Sequence, residues 1–175
     1  MHRAAGTCPE DDAETATILS TSCRKMLNEN DLAPDFELPA DDGNPVRLSS
    51  FRGQKVVLFF YPKADTPGCT IEACEFRDSS EKFDSSGAVI LGISPDSVND
   101  VRKFSRKFDL PYKLLADADH AVAEIYGVWK EKTMFGNTFM GVERSTFVID
   151  ETGHLRKIFR KVSPEGHAMA VLTGL

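Results

Sequence analysis

The alternation of apolar and polar stretches along this chain predicts one α/β unit. Two continuous apolar runs, 55–61 and 88–94, predict strands that are buried on both faces. Helices are predicted over 69–84 and 97–108 from apolar residues at helical spacing. The other predicted elements, in chain order, are a hairpin at 36–48, a strand at 112–115, a short helix at 120–126, strands at 145–149 and 155–159, and a last helix opening at Pro164.

The first 25 residues differ from the rest of the chain. They are rich in Ala, Thr, Ser and acidic residues, carry few large apolar residues, and contain Cys8 and Cys23. We therefore expect an N-terminal extension over 1–25, flexible or non-native, with Met26 as an alternative start. Residues 26–175 are long enough to form one domain with a substantial core.

Composition narrows the classes of function. The net charge of −6 argues against nucleic acid as a main partner, since binding phosphates needs a basic face. No apolar run approaches the roughly 20 residues of a membrane span, so no membrane partner is expected. Four cysteines without a preceding secretory signal favour a reducing compartment, and the predicted location is the cytoplasm.

Cys69 and Cys74 carry the clearest chemical signal. Cys69 follows a strand and a turn containing Pro67 and Gly68, so it lies at or near a helix N-terminus. Free backbone N–H groups and the helix dipole stabilise negative charge there and favour the thiolate, the reactive form of cysteine. In an intact helix, residues five apart are separated by roughly 8 Å along the axis, so a bond between these thiols would require unwinding. Small buried thiols remain the alternative interpretation of both cysteines.

A longer pattern around these cysteines resembles a known family. Residues 61–78 read Tyr-Pro-x-x-x-Thr-Pro-Gly-Cys-Thr-x-x-Ala-Cys-x-Phe-Arg-Asp, which is similar to the active-site segment of peroxiredoxins, in particular the peroxiredoxin Q / bacterioferritin comigratory protein subfamily. Co-ordered blocks at 33–36, 92–94, 126–129 and 141–150 extend the resemblance from about residue 28 to 170. It implies a thioredoxin-like fold, with a central mixed β-sheet flanked by helices and an N-terminal β-hairpin. The order of the predicted elements agrees with that fold.

The resemblance also implies a thiol-dependent peroxidase and a role for each site residue. Cys69 would attack the peroxide and become a sulfenic acid, and Cys74 would resolve it as an intrachain disulfide. Thr66 would direct its hydroxyl at the thiolate and the peroxide, and Pro62 would shield the sulfur from water. Arg144 would stabilise the thiolate and hold a peroxide oxygen with its planar donors.

The implied partners are a peroxide and a dithiol reductant such as thioredoxin. No cofactor and no metal are expected, and because both thiols belong to one chain, the resemblance implies a monomer. Three other functions stay open: a thiol–disulfide oxidoreductase, although that class normally uses C-x-x-C, a non-enzymatic redox sensor, and a metal-binding module.

Three further residues near this site allow two interpretations each. Glu72 lies within one turn of Cys69, so it could cap the helix or shape the site, or else be solvated. Trp129 and Phe135 could form an apolar wall of the site, or else pack in the core.

Overall fold

The computed structural model describes residues 25–175. The predicted extension, with Cys8 and Cys23, lies outside the described residues except for Lys25. The strands are β1 (Glu37–Pro39), β2 (Pro45–Arg47), β3 (Lys55–Phe60), β4 (Ala88–Ser94), β5 (Lys113–Ala116), β6 (Trp129–Met134), β7 (Asn137–Val142), β8 (Ser145–Ile149) and β9 (Leu155–Phe159). The helices are α1 (Pro67–Asp78), α2 (Ser80–Ser85), α3 (Val98–Lys107), α4 (Ala121–Ile125) and α5 (His167–Thr173).

A five-stranded mixed sheet in the order β5-β4-β3-β8-β9 forms the centre of the molecule. Strands β3, β4 and β5 run parallel, whereas β8 and β9 are antiparallel to their neighbours. The small hairpin β1–β2 stands apart from this sheet. This arrangement confirms the predicted fold class, a mixed sheet flanked by helices and preceded by a hairpin.

Strand β3 lies between two hydrophobic clusters, and this position explains why its sequence is apolar without alternation. Val56 and Leu58 face one hydrophobic cluster, whereas Val57 and Phe59 face the other. Helices α1, α3 and α5 contribute buried side chains to the second cluster, and α4 contributes to the first. Gly92 of β4 lies opposite Phe59, where an added Cβ would come within 2.8 Å of the ring. The central strands are therefore covered on both sides, as their composition predicts.

The predicted helix over 69–84 is wrong in its bounds, because the structure contains two helices. Helix α1 begins at Pro67, whose fixed φ and missing N–H suit the first turn, with Thr66 in extended conformation before it. The chain breaks at Ser79, which has φ −101° and ψ 2°, and α2 follows. Phe83 of α2 thereby packs against Phe76 of α1, with ring centroids 5.6 Å apart.

The hairpin β6–β7 was not predicted. Its turn consists of Phe135 and Gly136, which both have positive φ, 52° and 79°. Most of its side chains are exposed, so the alternation that marks a half-buried strand is absent from this part of the sequence. The hairpin lies outside the central sheet and ends just before Arg144.

Two helix starts also differ from prediction. Helix α3 is capped by Ser97, whose hydroxyl accepts the Asp100 N–H, and not by Ser94 or Asp96. Helix α5 begins at His167, after Pro164. Across residues 25–175, none of the helices has the length and apolar character that a membrane crossing requires.

Candidate active site

Cys69 occupies the first turn of α1, directly beyond the carboxyl end of β3. Its side chain is 1 % exposed and packs in the cluster that contains Tyr61 and Ala73. The loop before it is tied to the neighbouring strand, because the Ala64 N–H donates to the Asp96 carboxylate at 2.8 Å. The thiol is therefore held in a largely dry position where the backbone N–H groups of a helix start favour negative charge.

Arg144 reaches Cys69 from a distant part of the chain. It precedes β8, and the register of β8 places Ser145 opposite Phe60 at the end of β3. Its backbone is fixed as well, since its carbonyl oxygen accepts the Val162 N–H at 3.0 Å. The Arg144 Nη2 donates to the Cys69 sulfur at 3.2 Å. The structure thus brings together two predicted site residues that are 75 positions apart in sequence.

Gly68 makes room for this contact. A Cβ at Gly68 would lie 3.2 Å from Arg144 Nη2 and 3.6 Å from Pro164 Cγ. A side chain here would press on the guanidinium group that contacts the sulfur. Sequence reasoning treated Gly68 as a turn residue only, and no local signal reveals that a remote arginine lies over it.

Glu72 completes a chain of polar contacts. Its carboxylate is fully buried and accepts a hydrogen bond from Arg144 Nη1 through Oε2, while Oε1 has no partner among the described residues. Burial raises the pKa of Glu72 to about 7, although the Arg144 charge opposes that shift. Burial alone would lower the pKa of Arg144, but the Glu72 carboxylate outweighs it and raises that pKa above its ordinary value. The solvated interpretation of Glu72 is wrong, because the guanidinium bridges this carboxylate and the Cys69 sulfur.

Thr66 and Pro62 line the approach to the helix start. Thr66 is the residue before α1, and its hydroxyl donates to the Lys63 carbonyl at 2.9 Å. Pro62 is half-buried and directly follows Tyr61 at the end of β3. A contact of the Thr66 hydroxyl with the sulfur or with a peroxide stays a prediction, as does shielding by Pro62.

Cys74 lies in the same unbroken helix as Cys69. It is half-buried, and both thiols are free. Two hydrogen bonds tie α1 near Cys74 to other parts of the chain, one through a backbone carbonyl of the helix and one through a side chain. The Tyr112 hydroxyl donates to the Ala73 carbonyl at 2.6 Å, and Glu75 Oε1 accepts the Gly166 N–H at 2.9 Å. A Cys69–Cys74 bond therefore requires α1 to unwind from this conformation.

His167 lies beneath α1 and was missed by sequence reasoning. It is 4 % exposed, its Nε2 lies 2.7 Å from the Thr146 hydroxyl, and its ring packs between Phe76 and Phe159. Burial lowers the pKa of His167 to about 4, so the imidazole is neutral near neutral pH. It joins the first turn of α5 to the last turn of α1.

Trp129 and Phe135, the two residues considered for an apolar wall of the site, lie in different environments. Trp129 is half-buried and stacks on the His120 ring, with centroids 4.0 Å apart. Phe135 is 96 % exposed at the tip of the β6–β7 hairpin, so the core-packing interpretation is wrong for this residue.

Comparisons with known proteins give matches over most of the chain. A sequence model of the AhpC/TSA family matches residues 30–158. Peroxiredoxin Bcp of Bacillus subtilis is 52 % identical over 143 residues, which are 82 % of this chain and 91 % of that protein. Peroxiredoxin Bcp of Escherichia coli is 42 % identical over 149 residues, which are 85 % of this chain and 96 % of that protein.

Solved structures give the same result for the fold. The bacterioferritin comigratory protein of Xanthomonas campestris, described for its alkyl peroxide reduction activity, has a TM-score of 0.75 and 40 % identity, covering 79 % of this chain and 88 % of its own. A mutant of peroxiredoxin Q from Xylella fastidiosa has a TM-score of 0.81 and 34 % identity, covering 85 % and 95 %. The predicted thioredoxin-like fold is thereby confirmed.

Proposed function

Because this chain belongs to the AhpC/TSA family and is a thiol-dependent peroxidase, we propose that Cys69 is the thiol that attacks the peroxide. The observation that carries the proposal is the contact between Arg144 Nη2 and the Cys69 sulfur at 3.2 Å. A fixed positive charge at this distance, added to the helix start, favours the thiolate that the reaction needs.

The first chemical step breaks the O–O bond. The Cys69 thiolate attacks one peroxide oxygen, the bond pair leaves with the other oxygen, and that oxygen takes a proton to become water or an alcohol. Cys69 is left as a sulfenic acid. Arg144 can donate to the oxygen on which charge develops, because its guanidinium already lies against the sulfur. Glu72 fixes the orientation of that guanidinium from its other side.

The second step closes the disulfide. The Cys74 thiolate attacks the sulfenic sulfur, water leaves, and a Cys69–Cys74 bond forms. This requires α1 to lose the Tyr112 and Glu75 contacts near Cys74, so catalysis is coupled to local unwinding of the helix. An external dithiol, thioredoxin or a similar protein, then reduces the bond and is itself oxidised to a disulfide.

In this scheme, Thr66 and Pro62 act before the O–O bond breaks. We assign the Thr66 hydroxyl to the incoming peroxide, which would require it to turn from the Lys63 carbonyl. Pro62 keeps water from the sulfur. The position of Thr66 directly before α1 supports the first assignment, and the half-buried position of Pro62 in the loop between β3 and α1 supports the second.

The substrates of the proposed cycle are hydrogen peroxide and alkyl hydroperoxides. Alkyl peroxide reduction is described for the Xanthomonas campestris relative. We place the cycle in a monomer in the cytoplasm, since one helix carries both thiols and a reducing compartment supplies dithiols. The proposed catalytic unit is residues 26–175, with 1–25 as an extension. Light scattering of the reduced protein tests the monomer.

The function is tested by peroxide-dependent NADPH consumption coupled through thioredoxin and its reductase. Wild type should turn over both peroxides. Cys69→Ser should lose all peroxide reduction, whereas Cys74→Ser should still form the sulfenic acid but lose cycling with thioredoxin. Full activity in Cys69→Ser would overturn the assignment of the attacking thiol.

A further inference from the structure

Two lysines, Lys130 and Lys132, lie on one face of the hairpin β6–β7. Lys130 pairs with Gly141 and Lys132 pairs with Phe139, so these four residues share one face. On the other face, Trp129 pairs with Val142, which is buried in the core. The core therefore fixes the base of the hairpin and orients the lysine face.

The Lys132 side chain runs along the hairpin toward its base. Its Cδ and Cε lie 3.4 Å and 3.7 Å from the position that a Cβ would take at Gly141, two residues beyond its own partner Phe139. The Phe139 ring lies 3.5 Å from the same point. Gly141 thus leaves space for the lysine stem to lie across β7, three residues before Arg144. As a result Lys132 is half-buried, whereas residues 133–140 are all exposed.

The charge of Lys132 acts on the reacting groups. Burial lowers the pKa of Lys132, the positive charge of Arg144 lowers it further, and the Cys69 and Glu143 charges oppose both. Glu143 already forms an ion pair with Lys130 at 3.2 Å. Lys130 therefore has a direct ion-pair partner, whereas Lys132, whose stem lies across Gly141, interacts electrostatically with Arg144, Cys69 and Glu143.

We propose that Lys132 is a positioning residue for the attacking thiolate: held across Gly141, its ammonium adds a second positive charge to that of Arg144 and increases the fraction of Cys69 in thiolate form. The inference rests on the proposed role of Cys69. The other charged or titratable groups around the sulfur are Arg144, Glu72 on α1 and Tyr61 at the end of β3. All of these side chains, and Glu143 beside Lys130, are still present when Lys132 is replaced.

The test measures the alkylation rate of Cys69 by iodoacetamide as a function of pH, in a Cys74→Ser background, by mass analysis of the Cys69 peptide. Lys132→Met should move the midpoint of the rate curve to higher pH by about half a unit to one unit, so that below the midpoint the rate falls roughly 3- to 10-fold. The plateau at high pH should stay unchanged. Lys132→Arg should restore the parent curve.

Lys130→Met is the matched control, because it removes an equal charge from the same face. Its curve should move less than that of Lys132→Met, because the Lys130 ammonium is held at Glu143, whereas Lys132 interacts electrostatically with Cys69. An unchanged midpoint in Lys132→Met, a lower plateau with the midpoint unmoved, or an equal shift in Lys130→Met would overturn the proposal. Alkylation needs neither peroxide nor thioredoxin, so these outcomes are separate from a failure of peroxide turnover.

Discussion

The two thiols of α1 lie in contrasting surroundings although only five residues separate them. Cys69 is 1 % exposed, lies in the first turn and accepts a hydrogen bond from Arg144. Cys74 is half-buried, one and a half turns further along. The proposed attacking thiol thus has a fixed, dry, electropositive site, whereas the proposed resolving thiol depends on how readily the helix opens.

This difference implies two opposite demands on one helix. The peroxide step requires α1 to be folded, because folding places Cys69 against Arg144. The disulfide step requires the same turns to unwind. Phe76 lies beyond both thiols and stacks on Phe59 with centroids 4.7 Å apart, so it can anchor the end of α1 while the turns before it open. Substitutions at the two thiol environments should therefore affect different steps.

The largest effect is expected at Arg144. Arg144→Met removes the donor at the sulfur and should slow sulfenic acid formation by about 10²–10³-fold, the usual result of losing one donor at a developing anion. Stopped-flow fluorescence of Trp129, the single tryptophan, can follow this step. Arg160→Met is the control, because Arg160 donates to the Leu27 carbonyl at 3.0 Å, away from the thiol. Equal rates for the two variants would show that the Cys69 contact is not functional.

A smaller effect is expected at Glu72. Glu72→Gln keeps an oxygen that can accept from Arg144 but removes the charge, so it should slow the peroxide step by about 10-fold or less.

The same substitution should also abolish the titration of the Glu72 carboxylate. Burial raises the pKa of Glu72 from 4.5 to about 7, so its contribution to stability is fully present below pH 4.5 and is lost as pH rises toward about 7. Urea unfolding of wild type should show this loss, and Glu72→Gln should not. If both proteins lose the same stability, another group is responsible.

Tyr112→Phe tests the resolving side of the comparison. It removes the hydroxyl that donates to the Ala73 carbonyl, so α1 should open more readily, and disulfide formation should accelerate several-fold with a stability loss of about 1 kcal/mol. The peroxide step should not change. Rapid-quench mass analysis of the sulfenic acid and the disulfide separates the two steps.

Tyr126→Phe provides the control for this prediction. Tyr126 is also buried, and its hydroxyl donates to the Pro34 carbonyl at 2.7 Å, away from α1. It should lose similar stability without faster disulfide formation. Acceleration in both variants would mean that global destabilisation, and not opening of α1, limits the resolving step.

The sequence indicated Cys69 and Arg144 better than it indicated the groups around them. Cys69 and Arg144 belong to long residue patterns, and the central strands to long apolar runs, so both could be recognised without coordinates. The remaining site contacts involve groups that are remote in sequence and that β8 and the β6–β7 hairpin bring together. They concern Glu72, Gly68 and Lys132. Such contacts depend on register between distant segments, and no local pattern records them. The hairpin itself was missed because it is exposed on most of its length.

The last expected effect is on stability and not on a catalytic step, and it concerns His167, which packs against Phe76 behind the resolving half of α1. Burial lowers the pKa of His167 from 6.5 to about 4, so the folded state favours the neutral ring. Its contribution to stability is fully present above pH 6.5 and is lost as pH falls toward about 4, up to a limit of about 3 kcal/mol. His167→Gln can still bond to Thr146 but cannot titrate, so its stability should change less over this range. Urea unfolding should show this difference from wild type, and the exposed His154→Gln should follow wild type. A parallel decline in His167→Gln would assign the acid sensitivity to other groups. The neutral imidazole beneath the end of α1 would then make no pH-dependent contribution to stability.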